Sequence, residues 1–162
     1  PEQRSKGAQA GFTAHHTHRA AQRRWRHAMQ PLSLRLRGFR GIRDGLGLDE
    51  LTLDLERLAD GAALVAIAGA NGRGKSTVMD SLHPYLTMPS RAAVAGPGGF
   101  SYYDHVYLPE SEKELVWAHA GRSYRSQVVI RTGHRRRTEA FLFILETESK
   151  KWFMLIQSAK NY

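Results

Sequence analysis

The residue types and spacing best able to do chemistry lie in one stretch, AIAGANGRGKSTVMDSL, residues 66 to 82. Gly69, four residues, then Gly74, Lys75 and Ser76 form the G-x-x-x-x-G-K-[ST] pattern of a phosphate-binding loop. Gly69, Gly72 and Gly74 permit positive φ and let the backbone approach a ligand with no Cβ in the way. Backbone N–H groups of the loop can then converge on phosphate oxygens, helped by the dipole of a following helix. Lys75 is the expected catalytic cation, reaching the β- and γ-phosphates, and the Ser76 hydroxyl is the expected Mg²⁺ ligand. Thr77 and the first-turn N–H groups serve the α-phosphate side, and Ala70, Asn71 and Arg73 complete the nucleotide-binding loop. The cofactors this chemistry calls for are ATP and Mg²⁺.

Such a loop works only if a strand and a helix hold it. Leu64-Val65-Ala66-Ile67-Ala68 is a continuous apolar run of the kind that fills a buried strand. Ser76 to Leu86 places Val78, Met79, Leu82, Tyr85 and Leu86 at helical spacing, with Pro84 set to kink or end the helix. Upstream, PLSLRLRGF alternates Leu32, Leu34 and Leu36 with Ser33, Arg35 and Arg37, which predicts a half-buried strand. GFRGIRDGLG reads as a glycine-punctuated loop, and ELTLDLERL as a strand or a short helix. Downstream, a Pro/Gly-rich connection centred on Gly96-Pro97-Gly98-Gly99 leads to KELVWAHA, SYRSQVVIR, TEAFLFILE and KWFMLI. These alternate as an antiparallel meander, with turns at Gly121-Arg122 and TGHRRR.

Composition narrows the class. The chain has 162 residues, 41% hydrophobic and 24% charged, about one globular domain. It has no cysteine, which rules out disulfides and thiolate metal sites. No apolar run reaches the roughly 18 residues of a membrane span, and no signal-peptide core is present, so no membrane partner and a cytoplasmic location are expected. The net charge of +9 is uneven: residues 1–28 carry six Lys/Arg against one acid. That segment reads as a disordered basic tail, or as an extension upstream of a start at Met29. Its His15-His16-Thr17-His18 cluster fits incidental histidines better than a metal site. Residues 29–162 form the expected globular unit. DNA binding is compatible with the charge without being required by it.

Gly38-Phe39-Arg40-Gly41, about thirty residues before GANGRGKSTVMDSL, together with the meander, resembles the N-terminal ATPase lobe of the SbcC family. These are bacterial relatives of the structural-maintenance-of-chromosomes DNA-repair ATPases, and the resemblance spans roughly Met29 to Glu148. It implies an α/β fold: a P-loop NTPase, the N-lobe of an ABC-type ATPase, with a mixed sheet and an antiparallel β-meander after the first helix. It further implies an incomplete head, partnered by the C-terminal lobe of the same ATPase, by a second head in a homodimer, by an SbcD-type nuclease and by DNA. In this resemblance Asn71 lies near the γ-phosphate and Arg40 flanks the nucleotide.

The family's signature motif, acidic Mg²⁺-binding strand, switch histidine and coiled coil have no counterpart here. Gln157 is the late candidate for a glutamine loop. Phe141 to Glu146 is an apolar run ending in an acid, but Glu replaces the expected Asp, and a meander strand is the better reading. The run His134-Arg135-Arg136-Arg137 reads either as a contact for DNA phosphates or as a solvated hairpin tip. The expected function is ATP binding within an ATPase that processes DNA double-strand breaks. Another P-loop NTPase, such as a transporter-type ATPase, and an inactive nucleotide-binding fragment are the alternatives.

Overall fold

The computed structural model describes residues 28–62, 64–91, 99–133 and 136–161. The tail through residue 27 with its histidines, Gly96-Pro97-Gly98 and His134-Arg135 lie outside the described residues.

The Leu/Arg alternation forms β1 (Gln30–Arg37), which buries Leu34 and Leu36 and turns Arg35 and Arg37 to the other face. A helix follows, α1 (Arg40–Leu46), where the glycine-rich sequence predicts a loop. Gly47, at φ 72°, ends it by donating its N–H to Arg43 O at 2.8 Å. ELTLDLERL realises both of its readings in succession, as β2 (Glu50–Asp54) and α2 (Leu55–Ala59). The switch is made by Asp54, whose carboxylate caps α2 by accepting the Arg57 N–H at 3.0 Å. After the glycine loop comes α3 (Lys75–Ser81), which stops three residues before Pro84, shorter than its apolar spacing suggests.

The hairpin β3 (Ser90–Arg91) and β4 (Phe100–Ser101) and a 3-10 turn (Tyr102–Asp104) lead back to the main sheet. Its remaining strands are β5 (Glu110–His119), β6 (Arg122–Arg131), β7 (Arg137–Leu145) and β8 (Trp152–Asn161). The order is β2-β1-β5-β6-β7-β8. Every neighbouring pair is antiparallel.

This overturns the expected fold class. The described residues form a mainly antiparallel six-stranded sheet with three short helices, not an α/β P-loop NTPase or an ABC-type N-lobe with a mixed sheet. The decisive segment is residues 64 to 68. It lies outside the sheet with Leu64 85% exposed, because β2 and β5 already occupy both edges of β1. An apolar run is a buried strand only where neighbours exist to pair with it. Here β1 is paired instead by β2, which follows it through α1, and by β5, 77 positions away.

Cross-strand partners share a face, so the register separates core from charge. Leu34, Leu36, Leu115, Val128, Ile130 and Ala140 form the covered face, packed beneath Ile42, Leu55, Val78, Met88, Tyr102 and Val106. The opposite face is a ladder of ion pairs. Arg35 bonds Glu112 at 2.5 Å, Arg131 pairs with both Glu110 and Glu139, and Arg137 lies 2.7 Å from Glu139. Arg136 meets Asp104 at 2.5 Å, so the two described arginines of the basic run are engaged within the chain.

Candidate functional site

The glycine loop follows α2, whose end is marked by Asp60 and Gly61 in the left-handed region, and residues 64–70 belong to no helix or strand. Gly69, Gly72 and Gly74 take φ of 154°, 78° and 77°. Gly74 precedes α3, and a Cβ there would sit 2.9 Å from Gly41 O and 3.1 Å from Ile42 Cδ1. Both its conformation and its closeness to α1 therefore require glycine. No backbone hydrogen bond among the described residues uses the N–H groups of Asn71, Gly72, Arg73 or Gly74.

Lys75 folds back over this loop. Its Nζ donates to Gly69 O at 2.7 Å and to Ala70 O at 2.8 Å, and the contacts are exposed to solvent. The ammonium thus closes the loop onto its first two residues, Gly69 and Ala70. Ser76 is exposed on the next residue. Asn71 is also exposed, at the tip of the turn. Thr77 is buried and packs against Gly41 of α1. Arg73 extends sideways and donates from NH1 to Gly45 O at 3.0 Å. Arg40 opens α1, is exposed, and immediately precedes the Gly41 that abuts Thr77.

Residues 69 to 77 and Arg40 are thus brought to one flank of the molecule, where α1 meets the loop. Gln157 and Glu146 are not. Gln157 is paired opposite Phe141 on β8, the strand farthest from β2 in the sheet. Glu146 belongs to the β7–β8 turn, where its N–H donates to Lys151 O at 3.0 Å.

The structure adds residues that the motif does not reveal. α3 is pinned by Tyr102, whose hydroxyl donates to Asp80 Oδ2 at 2.6 Å. Burial, reinforced by the Asp80 contact, pushes the Tyr102 hydroxyl well above its ordinary range. Just after α3, Lys113 of β5 donates to His83 O at 2.6 Å from a fully buried position. Desolvation lowers the Lys113 ammonium to about 7. His83 falls to about 4, chiefly through burial and then through the nearby Lys113 charge, while Asp80 pulls the other way. Nothing in the strand alternation distinguishes Lys113 from a surface lysine.

The donor set suits a polyphosphate and one hydroxyl-bound cation. Ser76 would supply the hydroxyl, with the remaining oxygens coming from the phosphates and water. Among the described residues no group of three or more His, Cys, Asp or Glu is arranged to hold a metal ion by itself. No helix among them is long and apolar enough to cross a membrane. No family model, curated protein or solved structure matches the chain.

Proposed function

We propose that residues 69–77 bind Mg·ATP, and that the chain is the nucleotide-binding part of an SbcC-like ATPase acting in the cytoplasm on DNA ends with a nuclease partner. The observation that carries the reading is the glycine loop itself. An exposed Lys75 ammonium lies across it, and the backbone leaves loop N–H groups unused. Loop N–H groups and Lys75 would bind phosphate oxygens, and Ser76 would orient the cation. Bound Mg²⁺ would neutralise phosphate charge. The segment with Leu64, Val65 and Ile67 exposed supports a partner lobe that covers it, since such a run is costly to leave in water.

The DNA and nuclease partners rest on the sequence resemblance around Gly38–Gly41 and the loop. Calorimetric titration with Mg·ATP tests the nucleotide step. Saturable binding by the wild type, lost in Lys75→Ala at an unchanged melting temperature, supports it. Equal affinities for the two proteins, or no binding by either, would sink it.

A further inference from the structure

We infer that α1 is the template that holds the phosphate-binding loop in shape, with Arg73 acting as a positioning residue tied to Gly45 O rather than as a ligand of phosphate. The inference rests on the reading of residues 69–77 as a nucleotide loop. Gly41 and Gly45 are four residues apart and share one face of α1. The loop lies directly on that face. A Cβ at Gly45 would stand 2.5 Å from Gly72 O and 2.8 Å from Arg73 Cα, closer than real Cβ atoms approach such atoms. At the other end of the face, Gly41 abuts the Thr77 side chain, and its carbonyl oxygen crowds Gly74. Helix and loop therefore meet backbone to backbone at two places, Gly45 against Gly72 and Arg73 and Gly41 O against Gly74, and a Cβ at Gly45 or Gly74 would not fit there.

Arg73 closes this contact chemically. The last carbonyls of a helix have no partner within it, and Gly45 O is one of them. The Arg73 guanidinium supplies that partner at 3.0 Å, so one bond both caps α1 and anchors the middle of the loop. The buried Ile42, whose Cδ1 would stand 3.1 Å from a Cβ at Gly74, fixes α1 in the core beside the loop. The loop thereby inherits its curvature from a rigid element, and pre-organisation of this kind raises affinity by removing the ordering cost of binding. Lys75 remains as the cation that faces the loop interior.

The test uses the full chain with Gly45→Ala, Arg73→Met, Arg73→Lys and the Gly45→Ala/Arg73→Met pair. Amide hydrogen exchange of peptides covering 69–77 is read without nucleotide, alongside calorimetric affinity for Mg·ATP. Gly45→Ala and Arg73→Met should each speed loop exchange and weaken ATP by about tenfold, with β5–β7 peptides unchanged. Arg73→Lys should restore most of both, since one donor still reaches the carbonyl, and the pair should be less than additive. If Gly45→Ala does not fold, Arg73→Met alone carries the comparison. Wild-type loop exchange in Arg73→Met overturns the inference, and does so most directly if ATP affinity nevertheless drops, because Arg73 would then be a phosphate ligand. If the wild type binds no ATP, the nucleotide reading fails, while loop exchange still decides for or against the template.

Discussion

Lys75 and Lys113 show how position decides what an ammonium does. Lys75 is held by two carbonyls at the solvent boundary, so truncating it exposes those oxygens to water at little cost to the fold. Lys75→Ala should keep its melting temperature while losing about 10- to 100-fold in Mg·ATP affinity, the worth of a charge-assisted contact. Lys113 sits in the core with carbonyls and no carboxylate for company, and burial lowers it from 10.5 to about 7. Between those values the unfolded chain holds a proton that the folded chain has released, so stability rises with pH across that window. Tyr102 reverses the trend at the upper end. Its folded form keeps its proton above the ordinary value of 10.0, so its contribution is lost as pH rises past that point. Urea midpoints measured from pH 7 to 9.5 should climb for the wild type and lie flat for Lys113→Met. A slope that survives the substitution would assign it to another group.

Among the elements, β8 is the most exposed. It forms one edge of the sheet, and Phe153, Met154, Leu155 and Ile156 are each about half exposed, at 49%, 55%, 52% and 47%. Open, apolar edges template association, and one charge is the usual remedy. Leu155→Lys should lower light scattering on concentration without altering the circular dichroism spectrum; unchanged scattering would show that the edge is not where copies meet. The strands were legible because alternation is a local signal: Leu34 and Leu36 in β1, and Val128 and Ile130 in β6, announce their face directly. α1 was not, because two glycines weaken helix propensity, and only contact with the loop explains them. Residues 64–68 failed in the other direction. Their composition states what they prefer to touch but not whether a strand is there to be touched. The loop motif was readable in full from spacing, whereas Gly45, Tyr102 and Lys113 act through partners 28, 22 and 30 residues away in the chain.

At the scale of the molecule, holding Mg·ATP, as proposed for the glycine loop, would not by itself amount to cleaving it. Phosphoryl transfer to water needs a group to orient the nucleophile, and two acids that could serve, Asp80 and Glu146, are engaged elsewhere. Asp80 accepts from Tyr102, and Glu146 lies in the β7–β8 turn. The isolated chain should therefore turn over ATP at no more than a trace rate in a coupled phosphate-release assay. Robust turnover, lost in Lys75→Ala, would mean that a self-sufficient catalytic group exists here. The order of the strands has a consequence in time as well. β5 to β8 close through neighbouring hairpins, with Trp117 stacked on Tyr124 at 4.6 Å across the first of them. The β1–β5 seam instead joins residues such as Arg35 and Glu112, 77 positions apart, and the whole glycine loop lies within that span. Closing so long a span carries the larger entropic barrier, so the meander forms first and the seam last. Two of the three tryptophans, Trp117 and Trp152, report on the early event. In a refolding experiment their emission should recover ahead of the ability to capture a fluorescent ATP analogue, with the proposed nucleotide site being the final part of the molecule to come into existence.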